Sequence, residues 1–265
     1  MVPTVQFRYS NVMTSAPKEA EDTVSFGFKT VPEGKRQGLI NGIFSAVAER
    51  YDLMNDLMSG GLHRLWKRFA LLQTGLRPGQ RALDVASGTG DLGAGLARQV
   101  GRDGLAVLTD INREMLARGR DRLIDKGIGA QVAFVIANAE CLPFADSSFD
   151  CVTIGFGLRN VTDKPSALAS MRRVLRPGGR LLVLEFSKPR PEIRAAYDAY
   201  SFNVLPRLGS IVAGDAASYR YLAESIRVHP DQETLAAMIR GAGFDDCRWH
   251  NLAAGVVALH VGVVH

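Results

Sequence analysis

Ala82-Leu-Asp-Val-Ala-Ser-Gly-Thr-Gly-Asp-Leu-Gly93, followed further on by Leu105-Ala-Val-Leu-Thr-Asp110, decides how the rest of the chain is read. The first stretch is a short apolar run, then a glycine turn, then the start of a helical pattern. The second is another apolar run that ends in a carboxylate. A strand that stops at glycines lets the backbone approach a ligand, because no Cβ intervenes. The helix that follows points its free N–H groups back at the same place. A carboxylate at the tip of the neighbouring strand stands at the height of a ribose diol. The pattern is that of a nucleotide-cofactor site on an α/β sheet.

Gly88-Thr-Gly90-Asp-Leu-Gly93 fits G-x-G-x-x-G, and Asp110 follows at about the 20-residue distance of a dinucleotide fingerprint. Two details argue against a dinucleotide. Asp84 sits inside the first strand, close to where a pyrophosphate would lie. A carboxylate there opposes an anion but suits a cation, such as the ammonium and sulfonium of S-adenosylmethionine (SAM). The third strand is followed by Asn138-Ala-Glu-Cys-Leu-Pro-Phe-Ala-Asp-Ser-Ser-Phe-Asp150 and a further apolar run. This order resembles that of the class I SAM-dependent methyltransferases.

The chain has 265 residues, enough for one well-buried α/β domain with additions. Its hydrophobic content of 46% and charged content of 22% are those of an ordinary globular protein. The net charge of +5 is mildly basic, but the arginines are scattered. No basic block is long enough to favour nucleic acid. Cys141, Cys151 and Cys247 lack metal-ligand spacing and read as small buried residues in a reducing compartment. The histidines are equally scattered, so no metal site is expected. No apolar stretch has the length of a bilayer span, and the N-terminus lacks a secretory apolar region. The protein is expected in the cytoplasm.

Residues 1–35 show no sustained periodicity and read as a flexible N-terminal segment, in which Met13 offers an alternative start to Met1. Residues 36–265 read as a single domain. Its first part, 36–79, is helical: Ile40, Ile43, Phe44, Val47 and Tyr51 recur at helical spacing, and Leu62, Leu65, Trp66, Phe69 and Leu72 form a second apolar face. Both helices precede the first strand and are placed to cover the carboxyl edge of the sheet as a lid. Residues 80–186 alternate strand and helix, with strands near 81–86, 105–110, 131–137, 150–156 and 180–186 and helices near 91–100, 113–127 and 164–175. Asn112 and Thr162-Asp163 are the N-cap candidates, and Arg176-Pro-Gly-Gly179 reads as a turn. Residues 187–226 do not alternate and read as an insertion on the substrate side. Residues 227–265 hold a last helix and two strands, about 244–251 and 255–264, joined at Ala253-Ala-Gly255. The expected fold is a Rossmann-like seven-stranded sheet, mostly parallel, closed by an antiparallel hairpin. Trp66 and Trp249 are assigned to the core.

Several separated segments narrow the family. They are Tyr51-Asp-Leu-Met-Asn-Asp56, Gly155-Phe-Gly-Leu-Arg-Asn-Val-Thr-Asp163, Leu184-Glu-Phe-Ser-Lys-Pro189, Tyr197-Asp-Ala-Tyr-Ser-Phe202, Ser218-Tyr-Arg-Tyr-Leu-Ala-Glu-Ser-Ile226 and Ala254-Gly-Val-Val-Ala-Leu-His260. Together they resemble the ubiquinone/menaquinone biosynthesis C-methyltransferases, the UbiE/COQ5 family, over nearly all of residues 24–265. The resemblance implies methylation of a ring carbon in a polyprenylated quinol: 2-polyprenyl-6-methoxy-1,4-benzoquinol, demethylmenaquinol, or both. It implies cofactor contacts at Thr89, Asp110 and the Asn138-Ala139 pair. Gly88, Gly90 and Asp84 complete the cofactor set from the residues themselves. A serine usual before Phe156 in the family is here Gly155, where a backbone group would take over its contact.

Carbon is a poor nucleophile, and an adjacent ring oxygen that is deprotonated or strongly hydrogen-bonded enriches it. Arg159 and Asn160, just past the fourth strand, are placed to hold that oxygen. Arginine stays charged, so it stabilises a phenolate rather than acting as the base. The resemblance points the same way and adds Tyr51 from the lid. The plainer reading of Arg159 is an ion pair with Asp163. His229 reads either as a base or as a packed residue before the last helix. An isoprenoid tail with no membrane span in the enzyme implies contact at the bilayer's inner face, for which the basic balance and the apolar stretch 201–214 are the candidates. A homodimer and a quinone-biosynthesis complex are the assemblies in view. The alternatives are a methyltransferase of another lipophilic small molecule, a SAM-binding assembly protein and an NAD dehydrogenase.

Overall fold

The computed structural model describes residues 23–47, 56, 59–204, 207 and 216–265. A two-stranded hairpin comes first, β1 (Thr23–Phe26) and β2 (Lys29–Pro32), then α1 (Glu33–Val47) and α2 (His63–Gln73). The core runs β3 (Arg81–Val85), α3 (Asp91–Val100), β4 (Leu105–Asp110), α4 (Arg113–Asp125), β5 (Val132–Ile136), β6 (Phe149–Gly155), α5 (Lys164–Val174) and β7 (Leu175–Phe186). After it come α6 (Pro191–Ala199), α7 (Ala216–Val228), α8 (Gln232–Gly241), β8 (Asp246–Leu252) and β9 (Val257–Val263).

The strands form one seven-stranded sheet in the order β5-β4-β3-β6-β7-β9-β8. The first five are parallel; β9 pairs antiparallel with both β7 and β8. The chain leaves β3 toward one edge, returns at β6 and continues toward the other. The crevice at the carboxyl ends of β3 and β6 is therefore the topological switch point, where such sheets bind ligands.

Side-chain alternation explains why the sheet is covered on both sides. Leu83, Val85, Val107, Val152 and Ile154 face α5 and α8, meeting Leu168, Met171, Leu235 and Ile239. Ala82, Ala106 and Leu108 face the other way, onto Leu96, Ala97, Leu116 and Leu123 of α3 and α4. Leu182, Leu184 and Leu259 meet Trp66, Tyr219 and Leu222 from α2 and α7. The helix starts follow their caps. The Asn112 side chain accepts from Glu114 N and Met115 N, Asp163 accepts from Ser166 N, and Asp231 accepts from Thr234 N.

Four features differ from the sequence reading. The hairpin Thr23–Pro32 carries no periodicity long enough to signal it, and each strand has only four residues. β7 begins at Leu175, so the Arg176–Gly179 turn residues are part of the strand, with a register shift against β6 between Phe149 and Cys151. Trp249 is 38% exposed rather than core, because it lies on edge strand β8 and leans on His260. Cys141 is exposed, whereas Cys151 and Cys247 are buried as expected. Most of the apolar stretch 201–214, and Tyr51, lie outside the described residues.

Candidate active site

The turn after β3 is shaped by its backbone. Ala86, Gly88 and Gly90 all have positive φ, at 51°, 54° and 80°. Ser87 N donates to Thr109 O and Gly90 N to Ser87 O, both at 2.9 Å, so the loop is closed on itself and on β4. Gly119 of α4 lies against it. A Cβ there would stand 2.8 Å from Gly88 O, so the helix reaches the loop only because no side chain intervenes. Phe156, at the end of β6, also has positive φ, 57°. Two non-glycine residues in the left-handed region therefore face each other across the switch point, the kind of backbone cost that clusters at binding sites.

A cleft of about 690 Å³ opens there. Gly88, Asp110, Asn138, Ala139 and Asn160 line it, with Gln37, Ile40 and Asn41 of α1 on the opposite wall. A smaller arm of about 300 Å³ is lined by Asp84, Thr89 and Gly155, together with Lys67 and Asp91. Ala86 is common to both, so the two spaces adjoin at the glycine turn. Gly90 acts from behind, as the N-cap of α3.

Each polar group has a distinct setting. Asp110 Oδ2 accepts from Gly88 N at 2.9 Å and Oδ1 from Asn112 N at 2.8 Å. Burial nonetheless holds its pKa above the usual carboxylate range. Asn138 caps its own turn through Glu140 N at 3.0 Å, and its amide nitrogen meets Glu140 Oε2 at 3.4 Å. Glu140 Oε1 in turn accepts from Thr162 N and Asp163 N, at 3.1 and 3.0 Å. Thr89 Oγ1 takes a long 3.4 Å contact from Arg122.

Asp84 is the unusual member. It is 1% exposed. Its Oδ1 accepts from Thr153 Oγ1 at 2.6 Å, while Oδ2 has no hydrogen-bond partner. Burial pushes its pKa up to about 7, offset in part by Thr153 and by the Lys67 ammonium. Lys67 itself is held by Asp91 at 2.8 Å, and Asp91 also pairs Arg122 at 3.0 Å. A buried carboxylate with an unmet oxygen, lining a small cleft, fits a ligand that brings a positive charge.

Arg159 is placed apart from these groups. It is buried, and its Nη1 donates to Glu185 Oε1 at 2.9 Å and to the Phe156 carbonyl. Its backbone N–H donates to Glu185 Oε2 at 3.2 Å. The ion pair with Asp163 is not formed; Asp163 is engaged in capping α5. The free edge of the Arg159 side chain faces a second cavity, of about 560 Å³, shared with Arg36, Lys164, Tyr221 and His229. His229 is buried with neither ring nitrogen hydrogen-bonded. Burial, then Lys164 and Arg159, hold its pKa well below the imidazole range, so it is neutral. Asn160 bridges the two spaces: it lines the main cleft, and its Oδ1 accepts from Tyr221 OH at 3.3 Å.

Arg36 is a residue the sequence reading passes over. Its guanidinium donates to Ser25 O, Asn160 O and Thr162 Oγ1 at 2.7, 2.7 and 2.9 Å. It therefore fastens the N-terminal hairpin and α1 onto the rim of the cleft. No local pattern marks it, since two of its acceptors, the Asn160 carbonyl and the Thr162 hydroxyl, lie more than 120 positions away. Glu140 is likewise silent in sequence, although Asn138 two residues earlier announces the loop.

Residues 29–264 match the family described as the ubiE/COQ5 methyltransferase family. A protein of Teredinibacter turnerae named ubiquinone/menaquinone biosynthesis C-methyltransferase UbiE is 59% identical over 243 residues, covering 91% of this chain and 98% of that one. The protein of the same name from Erwinia tasmaniensis is 60% identical over 245 residues, covering 92% and 98%. Among solved structures, a SAM-dependent methyltransferase of Aquifex aeolicus superposes with a TM-score of 0.55 at 17% identity, covering 79% of this chain and 95% of that one, a likeness of fold.

Proposed function

Because the chain belongs to the ubiE/COQ5 methyltransferase family and is a SAM-dependent C-methyltransferase of quinone biosynthesis, we propose that it methylates a ring carbon of a polyprenylated quinol in the cleft at the β3–β6 switch point. The observation that carries the cofactor side of this reading is the unmet oxygen of buried Asp84 beside the glycine turn, and the acceptor side rests on the family. When bound, SAM supplies a methyl group already activated by its sulfonium, so the protein's task is alignment rather than strong acid–base chemistry.

In this reading Asp84 receives the positive charge of the cofactor's amino-acid end. Backbone groups at Gly88, Thr89 and Gly90 form the close-approach turn. Asp110 accepts from the ribose hydroxyls, and Asn138 and Ala139 face the adenine edge. Asp110 is already bonded to Gly88 N and Asn112 N, so the ribose meets a carboxylate whose orientation is fixed before binding. At Gly155 the side chain usual in the family is replaced by bare backbone. A Cβ there would stand 2.5 Å from Leu92 Cδ1, which gives the glycine a packing reason.

On the acceptor side, Asn160 holds the ring oxygen next to the reacting carbon. Arg159, immobilised by Glu185 and the Phe156 carbonyl, supplies positive charge behind it and favours the phenolate form. The ring hydrogen displaced by the new carbon–carbon bond leaves as a proton to water. Tyr51 is assigned to the lid side of the acceptor on family resemblance. No helix of the described residues is long and apolar enough to cross a membrane. In this reading the enzyme meets its isoprenoid substrate at the inner face of the bilayer, where such a tail resides.

The test is a transfer assay with methyl-labelled SAM and two reduced acceptors carrying short soluble tails, a 6-methoxy-benzoquinol and a demethylmenaquinol. Label in either ring is the expected result, and the ratio gives the preference. Absence of label in both, with SAM binding intact by calorimetry, would overturn the quinol assignment.

A further inference from the structure

α2 is buried on one side only. His63, Trp66 and Ala70 face the core, while Leu65 and Leu72 are 61% and 72% exposed and Leu62 is 42% exposed. Leu65, Arg68 and Leu72 recur at three- and four-residue spacing and share the outward face. Among the described residues, the packing does not account for two leucines presented to solvent on one ridge.

The flank of the ridge is cationic. Arg64, Lys67 and Arg68 of α2 face Arg98 of α3, with Arg122 of α4 and Lys126 just beyond it, across a groove of about 710 Å³. Asp56 pairs with Arg64, and Asp91 pairs with Lys67 and Arg122. Arg68, Arg98 and Lys126 are exposed and, among the described residues, carry no carboxylate partner. An apolar ridge beside a surplus of positive charge is the arrangement of a helix that lies in the headgroup region of an anionic bilayer, leucines inward and basic groups at the phosphates. A second copy of the chain does not suit this face, because its basic groove would meet itself. An acidic protein would satisfy the groove and leave the leucine ridge unexplained.

The groove is continuous with the catalytic edge. Lys67 and Asp91 line both it and the arm that holds Asp84. We propose that α2 is the membrane-docking element, lying on an anionic lipid surface through Leu62, Leu65 and Leu72 with Arg64, Arg68, Arg98 and Lys126 at the lipid phosphates. The arm of the site that holds Asp84 then adjoins the lipid surface. The interest of this placement rests on the quinol reading, but the surface itself is testable without it.

The full chain would be sedimented with vesicles of neutral phosphatidylcholine, and with vesicles in which about one-third of the lipid is phosphatidylglycerol. Binding to the anionic vesicles only, weakened by salt, is expected. Leu65→Ser with Leu72→Ser, and separately Arg68→Glu with Arg98→Glu, should each lower partitioning on the order of tenfold or more. All these side chains are exposed, and unchanged SAM affinity would show that the fold is intact. Absence of wild-type binding to anionic vesicles overturns the proposal. So does equal binding by the leucine variant, or a leucine variant that loses self-association instead of lipid binding. Methylation of the short-tailed quinols separates the two readings. If wild type and variants methylate them equally, a failure on vesicles concerns the surface alone; if none is methylated, vesicle binding still decides the surface.

Discussion

Asp84 and Glu185 are both about 1% exposed, both stand at the carboxyl half of the same sheet, and their surroundings are opposite. Glu185 has both oxygens satisfied, by the Arg159 guanidinium, the Arg159 backbone N–H and Phe186 N. Asp84 has one oxygen on Thr153 and the other bare. Burying a carboxylate is costly in either case. At Glu185 the protein offsets that cost with its own cation and so fixes the loop that bears Arg159 and Asn160. At Asp84 it leaves the cost standing until a cationic ligand arrives. The first centre is built for rigidity, and the second keeps its electrostatic gain for binding.

The largest expected effect comes from breaking the completed pair. Glu185→Ala leaves Arg159 buried without its counter-ion and should lower folding stability by about 3–5 kcal/mol, measured by urea unfolding. Replacing both partners, Arg159→Met with Glu185→Leu, should restore most of that stability. Methyl transfer should stay low in the double variant. If transfer recovers along with stability, Arg159 serves the fold alone.

The unmet carboxylate should respond in the reverse sense. A folded-state pKa of about 7, above the usual carboxylate value, means that the folded protein holds an extra proton. Stability is therefore lost as pH rises toward 7 and the penalty is complete above it. Asp84→Asn lacks this term, so its thermal midpoint should exceed that of the wild type, by a margin that grows from pH 5 to pH 8. Its SAM affinity should fall on the order of tenfold to a hundredfold, the range of a lost charge-assisted contact. In the wild type, binding a cation expels the Asp84 proton, so affinity should rise with pH through about 7 and flatten in the variant. Calorimetry in two buffers of different ionisation enthalpy reads that proton directly. A pH-independent affinity would remove Asp84 from the cation's company.

The smallest effect concerns packing between the two centres. Gly155→Ser forces a Cβ to within 2.5 Å of Leu92 Cδ1. A cost of about 1–2 kcal/mol is expected, relieved in part by Leu92→Val, as thermal unfolding of the single and double variants would show.

How much of this was readable from sequence follows the range of the interactions. Strands β3, β4 and β6 lie at the residues their apolar runs mark, because each is largely buried on both faces and the run is itself the signal. Asn112 and Asp163 cap helices with groups two or three residues away, and spacing reveals them. Gly88, Asp110, Asn138, Ala139 and Asn160 meet in one cleft because all lie at strand ends of one sheet edge. What stayed hidden depends on distant partners. The Glu185 carboxylate reaches the Arg159 side chain across 26 positions and displaces the local Asp163 pairing that helical spacing suggests. The hairpin Thr23–Pro32 is held by tertiary contacts such as Phe26 stacked on Tyr221 at 4.5 Å. Trp249 looks like core by residue type, yet its strand is the last in the sheet and lacks a neighbour to cover it.

The Arg36 clamp has a consequence for the order of assembly. Its acceptors lie 124 and 126 positions downstream, at Asn160 and Thr162. During synthesis the N-terminal hairpin and α1 leave the ribosome well before the rim they fasten exists, at an elongation rate of about 5–20 residues per second. They wait undocked for several seconds while β3 to β6 are made. The part of the enzyme translated early is thus among the last to find its place, and closure of the cleft certifies that the nucleotide-binding half beneath it has already folded.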